Sequence, residues 1–232
     1  MNYTVQYMKD NTLISRLICR QGRPKDSAKR EDIVSAATRL FMENGYELTS
    51  MEAVARQAGV SKLTIYSHFA DKQELFRAIV QTRCDEIGMP TSLMEYAKLP
   101  VEEALLEISR AALERILNPD TIHLIRVVQA EAMHRPEIVR IYYEVGPNRV
   151  RTAFADLLRE FDRQGKVSIQ DPACASEQFF CLLKGEMLQN ILMLRAPTPP
   201  AEEIEAHIEE TVGLFLASYK PNANSETQTD TL

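Results

Sequence analysis

The chain has 232 residues, of which 45% are hydrophobic, and it contains no long uninterrupted apolar run. This composition is typical of a soluble globular protein with one or two domains, and it excludes a chain built from membrane-spanning segments. The net charge is −6, but residues 1–72 hold 11 Lys and Arg against 8 Asp and Glu, whereas residues 73–232 hold 16 against 25. The acidic total therefore does not exclude a nucleic-acid partner for the basic N-terminal part.

Residues 1–24 are predicted to form a flexible basic arm. Their apolar stretch, residues 13–19, is interrupted by Arg16 and lacks a small-residue cleavage site, so we predict no secretory signal and expect a cytoplasmic protein. Cationic residues accumulate just before the first predicted helix: Arg16, Arg20, Arg23, Lys25, Lys29 and Arg30. Such a run attracts phosphate groups. We expect Arg23 and Lys25 to contact DNA, while Arg16 and Arg20 fit an ordinary solvated tail equally well.

The segment after the arm has the pattern of three short helices, and the first is predicted over residues 26–44. A second helix begins after Thr49 or Ser50, either of which can accept a free amide hydrogen at the helix start. Glu52 lies three residues beyond Thr49, as in a capping box. The sequence therefore gives two candidate caps for the second helix.

The third helix is predicted over residues 61–68 after a tight turn at Gly59, which tolerates the positive φ that such a turn needs. Only Ile65 and, at its end, Phe69 face inward, and the other side chains are mostly small, polar or basic. In a helix-turn-helix, the second helix of the motif lies in the major groove and neighbouring helix ends hold phosphates. We therefore predict that residues 25–72 form a DNA-binding domain; three packed helices without DNA binding are the alternative.

Two kinds of DNA contact are predicted for this domain. Contacts to phosphates, which fix register, are assigned to Thr49, Ser50, Tyr66, His68 and Lys72. Contacts to base edges, which give sequence specificity, are assigned to Lys62, Leu63 and Thr64. The predicted DNA-binding set is completed by Ser61 and Ser67.

The motif contains several short runs at fixed spacing: Ala58-Gly59-Val60-Ser61, Ile65-Tyr66, His68-Phe69, Lys72 and Leu75. In these residues, the segment from 27 to 80 resembles the TetR/AcrR family of bacterial transcriptional regulators. The resemblance implies an all-α fold with an N-terminal three-helix DNA-binding domain and a C-terminal helical bundle for ligand binding and dimerisation. Many members carry Gly where Leu63 stands, so the operator sequence does not carry over.

The rest of the chain is predicted to be helical. Asp71 with Glu74 is a second capping signature, and it opens a helix over residues 73–87 that connects the two domains in the family. Residues 88–100 are a predicted linker. Further helices are predicted near residues 101–117, 120–134, 137–164 with a break at Gly146-Pro147, 173–195 and 201–219. Residues 88–220 form the predicted effector-binding and dimerisation domain, and residues 221–232 a disordered tail.

An effector pocket is predicted between the helices of this bundle. Arg126, Gln129 and Met133 share one helix face and can supply a charged anchor. The apolar wall of the pocket is assigned to Phe154, Leu158, Phe179 and Leu183. Core packing explains the apolar residues equally well, and Arg126 can pair with an acid instead.

The last two helices are predicted to form a homodimer interface, because they hold more apolar residues than one narrow stripe needs. The predicted contacts are Phe180, Met187, Leu188, Ile191, Ile208, Val212 and Phe215. In the family, these two helices meet their mates in a four-helix bundle, and Gly185 is expected to allow close approach. A wholly internal core is the alternative.

No catalytic site, metal site or cofactor is predicted. Glu131-x-x-His134 is half of a carboxylate-bridged metal motif, and such a site needs a second copy. Cys174 and Cys181 lie two helical turns apart, too far for a bridge without rearrangement, but they leave redox sensing open. The sequence has neither a phosphate loop nor Gly-x-Ser-x-Gly, so we expect no enzyme.

These features together predict a homodimeric repressor that binds a near-palindromic operator in double-stranded DNA. A small-molecule effector in the bundle is expected to move the connecting helix and so release the DNA. Residues 60–69 and 131–144 look most like the AefR-like branch of the family, which includes repressors of multidrug efflux operons, so such an operon is the predicted target. A ligand-independent or redox-responsive DNA-binding regulator is the alternative, and no membrane partner is expected.

Overall fold

The computed structural model describes residues 25–86, 88 and 90–220. These residues form helices joined by turns, with no strand among them, so the predicted all-α fold is confirmed. None of the helices in these ranges is long and apolar enough to span a bilayer. The predicted arm, which includes Arg23, and the predicted tail lie outside the described residues.

The helices follow one another with short connections. They are α1 (Lys25–Leu48), α2 (Met51–Gln57), α3 (Lys62–His68), α4 (Lys72–Glu86), a 3-10 helix (Met94–Lys98), α5 (Val101–Ile116), α6 (Pro119–Glu131), α7 (Pro136–Val145), α8 (Pro147–Arg163), α9 (Pro172–Leu192) and α10 (Ala201–Ser218). The predicted helix over residues 137–164 is two helices, because Pro147 has no amide hydrogen to continue α7 and starts α8 instead. Two glycines with positive φ break helices: Gly45 in α1 (79°) and Gly185 in α9 (49°).

An aromatic cluster fixes the end of α1 to α4. The ring centroids of Phe41, Tyr46 and Phe76 lie between 5.3 and 6.1 Å apart. The break at Gly45 lets the chain turn, and the next side chain, Tyr46, is buried in this cluster. Burial, with the charge of Asp71 second, raises the pKa of Tyr46 to about 12. The cluster therefore holds a neutral phenol at the junction of the two helices.

The core of the N-terminal helices continues into α6 and α7. Leu124 and Val128 of α6 are buried in one cluster with the apolar residues of α1–α4, and so are Ile138 and Ile141 of α7. In this cluster, α6 packs on α1 and α7 packs on α4. The predicted boundary between the two domains, residues 73–87, is therefore not a boundary in packing, because one apolar core contains helices from both sides of it.

A second core holds the 3-10 helix, α5, α8, α9 and α10 together. Its centre is a set of rings from three helices, in which Phe179 lies 4.7 Å from Phe154, 5.7 Å from Phe180 and 5.0 Å from Phe215. All four rings are at most 5% exposed. This core makes the C-terminal helices one packed body on which the cavity described below is built.

Candidate nucleic-acid interface and effector cavity

The turn between α2 and α3 has the geometry that the sequence predicts. Gly59 has a φ of 66°, and the Ser61 hydroxyl accepts a hydrogen bond of 3.0 Å from the Thr64 amide, which caps α3. Ile65 and Phe69 are buried. The helix is thereby fixed with its opposite face toward solvent, as a major-groove helix requires.

Thr49 and Ser50 have different roles. Ser50 caps α2 by accepting a hydrogen bond from the Ala53 amide. The Thr49 side chain is buried, and its hydroxyl lies 3.1 Å from the Leu40 carbonyl oxygen and 2.9 Å from the Gly45 carbonyl oxygen. A buried hydroxyl bonded to backbone carbonyls does not reach phosphate, so the assignment of Thr49 to a DNA contact is wrong, and so is its pairing with Glu52 in a capping box.

The outward face of α3 is formed by the side chains of Lys62, Leu63, Tyr66 and Ser67. Leu63 is 82% exposed and Tyr66 is 41% exposed, and the Lys62 ammonium lies 5.9 Å from the centroid of the Tyr66 ring. Lys62 forms an exposed ion pair with Glu52 of α2, and its hydrogen bond to that carboxylate raises the pKa of Lys62. The exposed face of α3 therefore presents the apolar Leu63 side chain next to Lys62, which is ion-paired with Glu52.

The remaining hydroxyls of α3 already have partners within the helix. Thr64 Oγ1 lies 2.8 Å from Ser61 Oγ, and Ser67 Oγ donates a 2.7 Å hydrogen bond to the Thr64 carbonyl. Thr64 and His68 are half-buried. Lys25, a predicted arm contact, is the first residue of α1. Among the residues predicted to read base edges, Lys62 and Leu63 are therefore the more accessible.

Lys72 points toward the end of α1. Its ammonium donates a 3.1 Å hydrogen bond to the Glu47 carbonyl and lies 4.3 Å from the centroid of the Tyr46 ring. Burial lowers the pKa of Lys72. These contacts join α4 to α1. If Lys72 binds a phosphate, its ammonium must first give up the hydrogen bond to the Glu47 carbonyl.

A cavity of about 650 Å³ lies between α5, α6, α7, α8 and α9, below Gly88 and the segment 90–96. Its apolar lining includes Leu93, Ile108, Ala112, Ile116, Ile125, Val150, Phe180, Leu188 and Leu192. Its polar lining includes Glu95, Tyr96, Arg115, Thr121, Gln129, Tyr142, Tyr143, Arg151, Lys184 and Gln189. The volume is in the range of small-molecule sites.

The cavity contains one of the predicted ligand-binding residues, Gln129. The Arg126 guanidinium instead donates to the carbonyls of Ile191 (2.7 Å) and Leu192 (3.2 Å), at the C-terminal end of α9. Met133 is 89% exposed beyond the end of α6. The predicted apolar wall is absent from the lining, because the second core buries Phe154, Leu158, Phe179 and Leu183 completely.

The predicted dimer contacts are also placed differently. Phe180 and Leu188 line the cavity, Met187 is half-buried, and Ile191, Ile208, Val212 and Phe215 are buried within the chain itself. The large apolar side chains that α9 and α10 leave exposed are Leu182 and Leu214, at 44% and 54%. Gly185 does not lie in an uninterrupted helix face, and a Cβ atom there would be 3.6 Å from the His207 ring.

One helix, α6, contacts both the cavity and the helix-turn-helix domain. It lines the cavity with Thr121, Ile125 and Gln129. On another side, His123 Nε2 donates a 3.1 Å hydrogen bond to the Met42 carbonyl of α1, and the buried Glu131 carboxylate accepts a 3.2 Å hydrogen bond from the Glu47 amide. A displacement of α6 by a molecule in the cavity would therefore act directly on α1.

The Glu131-x-x-His134 pattern, for which no metal is predicted, has a structural role at the same place. Glu131 pairs with Arg135, which also pairs with Glu47 of α1, while His134 is exposed. Within the described ranges, no group of three His, Cys, Asp or Glu side chains has a geometry that could hold a metal ion. Cys174 and Cys181 are exposed free thiols on α9.

Comparison with known proteins gives matches over both parts of the chain. Residues 33–79 match the model of bacterial regulatory proteins of the tetR family, and residues 103–221 match that of the AefR-like transcriptional repressor C-terminal domain. The chain is 25% identical over 169 residues to the uncharacterized HTH-type transcriptional regulator YfiR of Bacillus subtilis, covering 71% of this chain and 80% of the relative.

Two solved structures are similar over most of the chain. The Flavonoid-responsive Regulator FrrA is 31% identical with a TM-score of 0.75, and the match covers 85% of this chain and 100% of that one. A TetR-family regulator structure from Mesorhizobium loti MAFF303099 is 27% identical with a TM-score of 0.74 and the same coverage. Family models and structures thus agree along the described helices.

Proposed function

Because the chain belongs to the TetR family of bacterial transcriptional regulators, we propose that it is a homodimeric repressor that a small-molecule effector releases from a near-palindromic operator. One observation carries the proposal: α6 lines the cavity and is packed into the core of the helix-turn-helix domain. Members of this family are helix-turn-helix regulators and not enzymes, as the sequence predicts.

For DNA reading, α3 would enter the major groove with Lys62 and Leu63 toward base edges. Ser50, Tyr66 and His68 stay assigned to the phosphates, and Ser61 and Ser67 stay in the proposed DNA-binding set. Arg23 of the arm and Lys25 at the start of α1 are also proposed to contact DNA. Arg56, exposed on the last turn of α2, lies on the same motif and joins this set. The leucine at position 63 offers a thymine methyl an apolar partner, which predicts a preference for A·T pairs at the base step that it contacts.

For release, the effector would shift α6 and α7 together. Tyr142 and Tyr143 of α7 line the cavity beside α6, and α7 packs on the connecting helix α4. Two routes therefore lead from the cavity to the DNA-binding helices: α6 to α1, and α7 to α4. Release requires only that the effector prefer the arrangement that binds DNA less well, and DNA must then weaken effector binding by the same factor.

The effector is proposed to be a compact molecule with several rings. The cavity of about 650 Å³ has room for a drug-sized ligand, and the structurally similar FrrA is named as a flavonoid-responsive regulator. An open cavity also favours an effector-responsive regulator over the ligand-independent alternative, which needs a filled bundle. The AefR-like C-terminal match supports extending the proposal to control of a multidrug efflux operon.

Footprinting on the DNA upstream of the chain's own gene tests this function. The purified protein is added at near-physiological salt with unrelated DNA as competitor, and Lys62→Gln serves as the matched variant. We expect a protected site with two-fold symmetry that Lys62→Gln protects less well. If that DNA shows no protection and a genome-wide selection of bound fragments enriches no sequence, the repressor proposal is wrong.

A further inference from the structure

The wall of the cavity formed by α8 and α9 carries two cations without a counter-ion. Arg151 of α8 and Lys184 of α9 both line the cavity. In the part of the chain that the structure describes, neither has a carboxylate in ion-pair contact, and the electrostatic influences on Lys184 come from Arg151 and Cys181. Two like charges that face one cavity favour an anion in the space between them.

Nearby charged groups do not compensate this pair. Glu95 is the acidic side chain of the lining, but it has no ion pair with either cation. The third cation of the lining, Arg115, donates a 2.9 Å hydrogen bond to the Ala111 carbonyl of its own helix. The positive charge of Arg151 and Lys184 is thus left for a molecule that enters the cavity.

The surroundings act differently on the two cations. The guanidinium carbon of Arg151 lies 5.8 Å from the centroid of the Tyr143 ring, an arrangement that orients the planar group. Burial lowers the pKa of Lys184, and the charge of Arg151 lowers it further. An anion close to both groups would relieve these two costs, because it stabilises the protonated ammonium and screens the like charge.

The rest of the lining is suited to an apolar body. Ile108, Ile125, Val150 and Leu188 line the same space, together with the ring of Phe180. We propose, resting on the effector-responsive function above, that the effector is an organic acid bound as its anion, with its acidic group between Arg151 and Lys184 and its rings against this apolar wall. A neutral or cationic molecule of the same size would leave the two cations unpaired.

A pair of matched fluorescent probes tests the charge requirement without DNA. 1-Anilinonaphthalene-8-sulfonate is an anion, and N-phenyl-1-naphthylamine has the same rings without the sulfonate. Both are titrated into the full-length protein and into Lys184→Gln, Arg151→Gln and Arg159→Gln. Arg159→Gln is the control, because it removes an exposed cation from the same helix as Arg151 but outside the cavity.

We expect the wild-type protein to bind the anionic probe more tightly than the neutral one. Lys184→Gln and Arg151→Gln should each raise the Kd of the anionic probe about tenfold, as the loss of a charge-assisted hydrogen bond does, and change the Kd of the neutral probe less than about twofold. Arg159→Gln should change neither Kd, and circular dichroism should report unaltered folding in all three variants.

Three results would overturn the anion site: equal losses for both probes, no loss for the anionic probe, or no binding of either probe. The proposed repressor function fails differently, since its failure is a missing footprint or a footprint that no cavity ligand affects. Charge-selective probe binding, together with an unprotected upstream DNA and no sequence enriched in the genome-wide selection, would keep the anion site and remove the repressor.

Discussion

The hydroxyl of Thr49 shares its one hydrogen between two backbone carbonyls at the end of α1, those of Leu40 and Gly45. Its neighbour Ser50 caps α2 from an exposed position. At the scale of single residues, two adjacent hydroxyls therefore differ in role: that of Thr49 contributes to stability, and that of Ser50 is the candidate for a DNA contact. The buried one supports the turn that leads into the helix-turn-helix, and only the exposed one is proposed to meet a phosphate.

Replacing Thr49 with Val keeps the shape of the side chain and removes its hydrogen bonds. We expect Thr49→Val to lower the free energy of unfolding by about 1–2 kcal/mol, because the two half-buried carbonyls lose a donor. Ser67→Ala removes an exposed hydroxyl and should cost under about 0.5 kcal/mol. Urea unfolding measures both. An unchanged stability combined with a weaker, less salt-dependent operator affinity in Thr49→Val would return Thr49 to the phosphate contacts.

The exposed pair of Lys62 and Glu52 gives a second prediction for single residues. Removing the acid leaves Lys62 free for DNA, so Glu52→Gln should tighten operator binding about fivefold at 0.1 M salt. Lys62→Gln should weaken binding and reduce the slope of log K against log salt by about one. Fluorescence anisotropy over a salt series measures both, with Lys98→Gln in the C-terminal part as the neutral control. Weaker binding in Glu52→Gln would mean that the ion pair itself positions α3.

At the scale of elements, α6 connects the cavity to α1. Among the contacts of α6 with α1, the hydrogen bond from His123 to the Met42 carbonyl can be removed with the least loss of stability, because His123 is exposed. The other contacts of α6 with α1 are buried: Leu124 and Val128 lie in the shared core, and Glu131 accepts from the Glu47 amide. His123 is therefore the residue at which coupling can be tested apart from stability.

For this test, the operator Kd is measured with and without saturating 1-anilinonaphthalene-8-sulfonate. In the wild-type protein we expect the probe to raise the operator Kd by about five- to a hundredfold, the usual range for linked sites. His123→Ala should lower the ratio about two- to threefold while each ligand alone still binds, because the buried contacts of α6 with α1 and the route from α7 to α4 remain. His134→Ala, an exposed histidine just beyond α6, should behave as wild type. An unchanged ratio in His123→Ala would exclude the His123 hydrogen bond as part of this route.

The elements themselves follow from local signals, and the cavity does not. Gly59, Ser61 and Pro147 act on their immediate neighbours, so their positions in the sequence are enough to predict where helices begin and end. The lining of a cavity depends on which apolar side chains the core uses first. Phe154 and Phe179 are buried in the second core and so do not line the cavity. Arg151 and Lys184 look like ordinary surface residues in the sequence, and only the packing of α8 against α9 places them in the cavity lining.

At the scale of the whole molecule, two reading helices must be held at a fixed separation to bind a two-fold symmetric site. The described chain buries most large apolar residues of α9 and α10 internally and leaves Leu182 and Leu214 exposed, one on each of these packed helices. We expect Leu182 and Leu214, rather than the residues predicted from the sequence, to contact a second subunit. A stable contact of this kind buries at least about 1,000 Å² in total.

The double variant Leu182→Glu, Leu214→Glu tests this interface, because it places four carboxylates in the apolar centre of a two-fold contact. Sedimentation at micromolar concentration should find a dimer for the wild-type protein and a monomer for the variant, with the same helical content by circular dichroism. Met133→Glu, which alters an equally exposed apolar residue beyond α6, should remain a dimer. The monomer should lose affinity for a full operator but keep the affinity of one domain for a half-site, since α3 itself is untouched. A double variant that stays dimeric would place the subunit contact on another face.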